Sequence, residues 1–393
     1  MESISYNNYA FFLYLDRFTQ KLVHYFMTTN KLTLIVDGNW LMMSRMASFI
    51  KLFDKSQPEI VKKNASKNLE EQMAKSIGII LNKFKEIDNV VLVADGGSWR
   101  KKLAIPKILL SEETTYKGNR KQSIDIDWNY IYNSFTNLYN HCKDLGLTCS
   151  QSFDCEGDDW VWYWSRRLNE SGINCIIWSS DNDLKQLVQY NKNTRTFTAW
   201  YNGKNYMSFS SDLYEPETDP VEFFMMPQKR FLPVFESFKN NVNINIEYVQ
   251  PFNIIIDKIF QGDSGDNIKP IVQYKWNGRT YKMTKKEFNN IIEKFNINTI
   301  EDIESQQDSI SEYVATMINN KSKGCTVYSQ DINDMITYNI NLVWLNEKII
   351  PETIIMSMNH SEYKKIDDLN YIRLNYKTLL GKDQTIEDIF NSI

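Results

Sequence analysis

LTLIVD, at residues 32–37, is the first of three short apolar runs that each lead into an aspartate. The second run is VVLVAD at residues 90–95, and the third is INCIIWSSD at residues 173–181. Continuous apolar runs of this length are typical of strands that are buried on both faces of a sheet. The three runs therefore predict strands of one sheet, with an aspartate at or just beyond the carboxyl end of each.

Helical patterns separate these runs, at residues 66–87, 128–145 and 158–170. Alternating strands and helices predict an α/β fold with a central, mostly parallel sheet flanked by helices. In such sheets, ligands bind at the carboxyl ends of the strands. The three aspartates therefore stand where a functional site is expected.

The rest of the chain divides into segments of different character. Residues 195–210 predict a hairpin that turns at Asn202-Gly203. Residues 211–250 are polar and contain four prolines, which indicates an insertion. From residue 251 onward the patterns are mainly helical, with predicted helices at 252–261, 284–295, 308–319 and 361–380. We therefore expect an N-terminal extension (1–30), an α/β domain (31–250) and a helical C-terminal region (251–393).

Composition narrows the possible function classes. The chain has 393 residues and a formal net charge of −4, which argues against a uniformly basic nucleic-acid coat protein. Its three histidines share no motif and its five cysteines include no CxxC pair, so neither a histidine-based triad nor a zinc site is expected. No apolar run reaches the roughly 18 residues that a membrane helix needs. We expect a monomer without a membrane partner in the cytoplasm, or in the host cytoplasm if the protein is viral.

Nine acidic residues in five short motifs are the strongest chemical signal. They are Asp37, Asp95, Glu156, Asp158, Asp159, Asp181, Asp183, Asp263 and Asp266. Converging carboxylates repel one another and need a cation to neutralise them. Oxygen ligands favour Mg²⁺, with Mn²⁺ able to substitute, and nine acids are enough for two ions. Two such ions about 3.5–4 Å apart can activate a water molecule for phosphodiester hydrolysis.

Each motif also has a simpler interpretation. A single aspartate at the end of a strand usually caps a helix or forms a turn. The acids at residues 156–159 are also favourable at a helix N-terminus, and GDSGDN at residues 262–267 is typical of a surface turn. We favour a metal site because all five motifs occur in this order and three of them follow buried strands.

This ordered set of acids resembles the 5′-nuclease superfamily of flap endonucleases and 5′–3′ exonucleases, which have a PIN-like α/β fold. Within it, the sequence looks most like the ribonuclease H enzymes of T-even bacteriophages, and the resemblance covers residues 31–393. It implies a C-terminal DNA-binding region of the helix-hairpin-helix type. It also implies that one metal ion is surrounded by Asp37, Asp95, Glu156 and Asp158, with Asp159 contributing through water. A second ion would be surrounded by Asp181, Asp183, Asp263 and Asp266.

A basic segment begins directly after Asp95. Residues 98–121 contain seven basic and two acidic residues, a local charge that suits a phosphate-binding loop or a solvated surface. Within it, YKGNRK at residues 116–121 resembles the base of the helical arch of phage 5′-nucleases, and the arch would span residues 98–125. The resemblance implies that Lys117 and Arg120 contact the scissile phosphate. The further predicted nucleic-acid contacts are Arg100, Lys101, Tyr116 (by stacking on a terminal base) and Lys121.

The segment after Asp266 departs from the family pattern. From residue 268 to residue 275 the chain reads IKPIVQYK, without the Gly-x-Gly-x-Lys hairpin of the family. Lys269 is nevertheless a candidate phosphate contact, as are five further basic residues up to Lys286.

These observations predict a Mg²⁺-dependent, structure-selective 5′-nuclease that hydrolyses phosphodiesters near the 5′ end of a DNA strand or an RNA primer. Its expected substrates are DNA and RNA–DNA hybrid duplexes with 5′ ends or flaps. The resemblance implies primer removal in phage replication, with a phage single-stranded-DNA-binding protein as a partner. Two alternatives are a PIN-type ribonuclease for single-stranded RNA and a catalytically silent DNA-binding scaffold. A phosphatase with an aspartyl nucleophile is disfavoured because residue 39 is Asn rather than Asp.

Overall fold

The structure is a computed structural model. It describes residues 32–109, 115–120, 125–214, 244–276, 279–321, 326–366 and 369–381. The predicted N-terminal extension and most of the predicted insertion lie outside these ranges.

One large sheet organises the first half of the described chain. Its strands are β1 (Leu32–Asp37), β2 (Asn89–Val93), β3 (Thr148–Ser150), β4 (Asn174–Trp178), β5 (Gln189–Asn191), β6 (Thr196–Tyr201), β7 (Tyr206–Ser210) and β8 (Asn245–Val249). The spatial order is β3-β2-β1-β4-β6-β7-β8, and β5 pairs with the first half of β6. The strands from β3 to β6 in this order are parallel, whereas β7 runs antiparallel to β6. The predicted α/β fold with a mostly parallel sheet is confirmed, and so is the 195–210 hairpin.

Strand β1 lies at the centre of the sheet and is buried on both faces. Ile35 pairs with Val91 on one side and with Ile177 on the other, and none of the three has exposed surface. Leu34 and Val36 point to the opposite face, where they join a second part of the core. The continuous apolar runs are therefore explained by helices on both faces. Because the strands are parallel, the aspartates that follow them lie along one edge.

Four helices from the first half of the described chain pack on the two faces of the sheet. Helices α1 (Gly38–Met46), α2 (Glu59–Lys83) and α3 (Trp128–Asp144) pack on one face, and α4 (Gly157–Glu170) packs on the other. The predicted helices at 66–87, 128–145 and 158–170 match α2, α3 and α4, although α2 begins earlier than predicted.

The second half of the chain has a core of its own. It is built by α5 (Pro251–Gln261), α6 (Lys285–Phe295), α7 (Ile300–Lys321) and α8 (Ser329–Val343), and α9 (Glu352–Asn359) follows. Between α5 and α6 the chain forms an antiparallel hairpin of β9 (Gln273–Trp276) and β10 (Arg279–Lys282), which the sequence did not predict. Among the helices of the described ranges, none has both the length and the apolar character needed to cross a bilayer.

The predicted helix at 361–380 is wrong. In its described residues, 361–366 and 369–380, the segment forms only the short helix α10 (Asn370–Leu374) and a 3₁₀ turn at Tyr376–Leu380, and Asn375 between them adopts an extended conformation. The segment also packs away from the helical region to which the sequence assigned it. Tyr363 Oη lies 2.8 Å from Thr33 Oγ1, Arg373 donates to the Leu81 carbonyl oxygen, and Leu379 is fully buried in the core formed with α2 and α3. The described end of the chain therefore belongs structurally to the α/β domain.

Candidate active site

A cleft of about 660 Å³ opens at the carboxyl edge of the sheet. It brings together six of the nine predicted acids, which are Asp37, Asp95, Glu156, Asp158, Asp181 and Asp266. Lys101, Lys117 and Arg120 also line it. Parallel strand ends, the start of α4 and the loop after α5 thus converge on one place.

Asp37 caps a helix and lines the cleft at the same time. Its Oδ1 accepts a hydrogen bond from the Trp40 amide at the start of α1 (3.0 Å), and its Oδ2 accepts one from Ser179 Oγ (2.8 Å). Burial raises the pKa of Asp37 to about 6, and the nearby charges of Asp95 and Asp181 add to this effect. Asp37 is therefore a helix cap, as the simpler interpretation holds, and this role does not exclude that it also binds a metal ion.

Asp95 is held by Asn39 from the neighbouring strand end. Asn39 Nδ2 donates to Asp95 Oδ2 (2.7 Å), and the Asp95 amide donates to Asn39 Oδ1 (3.1 Å). The Gly157 amide at the start of α4 donates to Asp95 Oδ1 (2.5 Å). Burial is the main cause that raises the pKa of Asp95. Asn39 was not predicted as a site residue, although its place two residues after a strand-end aspartate was an available signal.

Two of the three acids at the start of α4, Glu156 and Asp158, have opposite electrostatic environments. Burial alone would raise the pKa of Glu156, but Lys117 and Arg100 outweigh it and lower the pKa. Lys117 Nζ lies 2.7 Å from Glu156 Oε1. Asp158 accepts no hydrogen bond from the described part of the chain, and burial raises its pKa well above the ordinary value, with Asp181 and Asp37 adding to the shift. Lys117 lowers the pKa of Asp158, but by less than burial raises it, so the charge of Asp158 is only partly compensated.

Arg100 and Asp159, a predicted nucleic-acid contact and a predicted metal contact, form a buried ion pair. Arg100 is 1% exposed, and its guanidinium contacts both oxygens of Asp159 (2.8 and 3.1 Å) and Glu156 Oε2 (3.0 Å). Asp159 is fully buried and also accepts a hydrogen bond from Trp99 Nε1 (3.1 Å). Arg100 therefore has no surface for a nucleic acid, and Asp159 does not face the cleft. Its role here is to hold the base of α4 through Arg100.

The predicted stacking role of Tyr116 is also not supported by its position. Tyr116 is 5% exposed and packs in the core of the helical region, with its ring beneath Lys117 Nζ (4.8 Å to the ring centre). Its hydroxyl donates to Glu156 Oε2 (3.4 Å). A ring buried in this way cannot lie against a nucleobase. Tyr116 instead supports Lys117, which has a positive φ of 55° and whose amide donates to the Asp266 carbonyl oxygen (2.8 Å).

Asp183 and Asp263 lie outside the lining of the cleft and share a lysine that the sequence analysis missed. Lys258 Nζ lies 2.5 Å from the Asp183 carboxylate and also contacts the Asp263 carboxylate. Lys258 is on α5, five residues before Asp263. Burial, with Asp181 next, raises the pKa of Asp183 despite this lysine. A basic residue one helical turn before an acidic motif was the signal that could have been followed.

The loop after α5 connects Asp266 to the predicted arch. Its ends are joined by two backbone hydrogen bonds between Asp263 and Ile268 (2.8 and 2.7 Å). Arg120 Nη2 contacts Asp266 Oδ1, and Asn119 Nδ2 donates to the Ser264 carbonyl oxygen (2.8 Å). This loop and the segment at residues 115–120 therefore brace each other.

Two further predicted contacts remain predictions. Lys269 Nζ donates to Asn267 Oδ1 (2.8 Å) beside this loop, and Lys121 lies outside the described residues. Within the described ranges, no three His, Cys, Asp or Glu side chains meet closely enough to form a ready-made metal site. Lysines and arginines separate several of the acids instead, so the division into two ligand sets also remains a prediction.

An apolar wall of the cleft was not predicted. It consists of Trp40, Met42, Met43, Trp128 and Tyr132. Trp40 and Met43 are three residues apart on α1, and Trp128 and Tyr132 are four apart on α3, so each pair lies on one helix face. Tyr132 and Met43 are 41% and 42% exposed. The cleft therefore combines carboxylates, cations and apolar rings.

The fold is similar to solved structures of bacteriophage T5 proteins. A T5 5′-exonuclease with bound zinc is 17% identical, with 83% of this chain and 96% of that chain covered and a TM-score of 0.45. A T5 flap endonuclease in a pseudo-enzyme–product complex with DNA and metal ions is 16% identical, with 89% and 100% covered and a TM-score of 0.46. No protein-family model and no curated protein sequence matches this chain.

Proposed function

We propose that this protein is a divalent-metal-dependent 5′-nuclease that hydrolyses phosphodiesters in the cleft at the carboxyl edge of the sheet. The observation that carries the proposal is the meeting of six carboxylates with Lys117 and Arg120 in that cleft. A purely structural role does not explain such a set, because each buried carboxylate that lacks a counter-ion destabilises the fold.

The donor atoms fit hard divalent cations. They are all oxygens, and burial raises the pKa of Asp37, Asp95 and Asp158, which means that their charges are poorly compensated by the protein. Asp37, Asp95, Glu156 and Asp158 would hold one Mg²⁺, and Asp181 would contribute to a second with Asp183, Asp263 and Asp266. When bound, the ions supply an activated water molecule and stabilise the leaving oxygen.

Lys117 and Arg120 have a separate task in this proposal. Their side chains lie at the same cleft as the carboxylates, so they would neutralise the scissile phosphate and stabilise the charge that develops on it. Lys117 is held by Glu156 and Tyr116, and Arg120 by Asp266, so both are positioned before substrate arrives. The apolar wall offers ring surfaces beside the phosphate site, which suits a nucleotide rather than a free phosphate ester.

Cleavage of defined nucleic acids tests the proposal. We would assay 5′-labelled and 3′-labelled flap, nicked and RNA–DNA hybrid substrates with Mg²⁺, with Mn²⁺ and with EDTA. Metal-dependent cuts near the 5′ end are expected, and the preferred substrate would separate primer removal from flap processing. Cutting confined to single-stranded RNA would replace the proposal with the PIN-type ribonuclease. Binding without cutting in either metal would replace it with the DNA-binding scaffold.

A further inference from the structure

Phe153 is the most exposed of the large apolar side chains in the described residues, and it stands beside the proposed active site. It is 83% exposed in the loop between β3 and α4. Two residues later the chain is fully buried at Cys155, and Glu156 of the cleft follows. An exposed phenyl ring gains favourable free energy when a partner from solution covers it, so the groups around Phe153 indicate what such a partner could be.

The backbone around Phe153 is tightly braced. The Trp99 amide donates to the Asp154 carbonyl oxygen (2.8 Å), the Asp154 amide to Gly96 (3.2 Å), and the Gly96 amide to Cys155 (2.8 Å). A Cβ atom on Gly96 would lie 1.8 Å from the Ser152 carbonyl oxygen, so only glycine permits this approach. Asp154 itself has a positive φ of 60°. The loop is therefore fixed in a conformation that leaves the Phe153 ring in solvent.

A positive charge accompanies the ring. Lys102 Nζ lies 5.4 Å from the centre of the Phe153 ring and forms an ion pair with Asp154. Its side chain is 64% exposed, and the neighbouring Lys101 lines the cleft. An aromatic face next to an ammonium group is the combination that binds one nucleotide of a single strand, with the base on the ring and the phosphate on the cation.

The distance to the cleft suits a neighbouring nucleotide. Phe153 precedes Glu156 by three residues, so their Cα atoms are separated by at most about 11 Å. Successive nucleotides of a stacked strand are roughly 3.4 Å apart along the axis, so this span corresponds to about three nucleotides or fewer. Gly97, which lies against Asp154 of the same loop, lines the cleft.

We infer that Phe153 and Lys102 form a stacking subsite on the rim of the cleft for an unpaired nucleobase of the substrate strand. The occupant is unpaired because a base within a duplex already has both faces covered by its neighbours. This inference rests on the proposed function, since it gives a substrate contact to that same cleft.

Equilibrium binding without cleavage tests the subsite. Two duplexes of the same sequence would be compared in EDTA by fluorescence anisotropy, one blunt and one with an unpaired 5′ tail of six nucleotides that contains 2-aminopurine.

We expect Phe153→Ala to weaken binding of the tailed duplex by roughly tenfold and to leave binding of the blunt duplex unchanged, since stacking on an aromatic residue contributes at this level. Phe153→Trp is expected to retain the affinity and the quenching of 2-aminopurine. Tyr371→Ala is the matched control, because Tyr371 is 63% exposed on α10, whose Arg373 contacts the Ile87 carbonyl oxygen just before the start of β2, at the edge of the sheet opposite the cleft.

Each result has a distinct meaning. Equal affinity of Phe153→Ala and the unmodified protein for the tailed duplex overturns the subsite while the proposed nuclease stands, provided that the unmodified protein cuts. An equal loss of affinity for the blunt and the tailed duplex in Phe153→Ala also overturns the subsite, because stacking on an unpaired base predicts a larger loss for the tailed duplex. Failure of the unmodified protein both to bind and to cut any of these substrates overturns the proposed function and the subsite together.

Discussion

Lys258 Nζ lies 2.5 Å from the carboxylate of Asp183, and it contacts Asp263 as well. Two predicted metal ligands from distant parts of the chain are thus joined by an ammonium group from α5. In the absence of a divalent cation, this lysine neutralises charges that would otherwise repel. Lys117 neutralises Glu156 in the same way. Neutralisation by neighbouring lysines explains how so many acids can converge in a folded protein.

Replacing Lys258 tests whether its ammonium group neutralises Asp183 and Asp263 when no divalent metal ion is bound. In Lys258→Gln, Asp183 and Asp263 lose their shared counter-ion, so the protein should unfold a few degrees lower in EDTA. Saturating Mg²⁺ should recover most of this loss, because a cation that binds only the folded state stabilises it. Thermal unfolding with and without Mg²⁺ measures both effects. Equal Mg²⁺-induced shifts in the variant and the unmodified protein would contradict this role. Lys348→Gln, which removes a surface ion pair with Glu301, is the control.

Asp158 is expected to be essential for cleavage and unfavourable for the stability of the metal-free protein. Asp158→Asn removes a poorly compensated carboxylate, so the melting temperature in EDTA should rise by about 1–3 °C. Cleavage should fall by about 10²–10³-fold or more, because metal coordination contributes several kcal/mol to the transition state. Calorimetry and single-turnover cleavage measure the two effects. A variant with full activity would refute the assignment of Asp158 as a ligand.

Lys117 is expected to act on the chemical step. Lys117→Ala should lower the single-turnover rate by about 10²-fold, the usual effect of removing one group that stabilises transition-state charge. Substrate affinity in EDTA should change much less. The ring of Tyr116 and the Glu156 carboxylate would keep their places in Lys117→Met, which therefore separates loss of charge from loss of packing. If only affinity falls, Lys117 is a binding residue rather than a catalytic one.

Arg100 is expected to contribute mainly to the free energy of unfolding. Arg100→Met leaves Asp159 and Glu156 buried without their shared partner, which costs about 3–5 kcal/mol for a buried pair. Urea unfolding should show this loss, and Arg100→Met with Asp159→Asn should recover part of it. Arg166→Met removes only partly exposed ion pairs with Glu170 and Glu347 and should cost less than about 1 kcal/mol. A loss for Arg100→Met as small as that of Arg166→Met would show that the buried pair is not important for stability.

The sequence predicted the strands and the acids because both signals are local. The runs that became β1, β2 and β4 are mostly apolar and buried at every position, and the aspartate that follows each run can be recognised without knowing its partners. The hairpin of β6 and β7 was likewise readable from Asn202-Gly203. Segments whose conformation depends on contacts were missed or misassigned, such as β8, whose partner is β7, and the end of the chain around Arg373.

Arg100 and Lys117 illustrate the limit for the site. In the sequence both are basic residues of one charged segment, and charge alone predicts the same role for each. In the structure Arg100 is buried against Asp159, whereas Lys117 lines the cleft. Phe153 and the apolar wall carry no motif that marks them, and only their neighbours in space give them a role.

Sequence patterns were thus sufficient for the fold class, the parallel orientation of the central strands and the edge at which acids gather, because these follow from periodicity and from the ends of strands. Tertiary structure alone decided which acids face the cleft, which cations neutralise them and where the chain end packs. The physical reason is that burial and ion pairing depend on distances between residues far apart in sequence. Asp183 and Lys258, 75 positions apart, become neighbours only when β4 and α5 are brought together by folding.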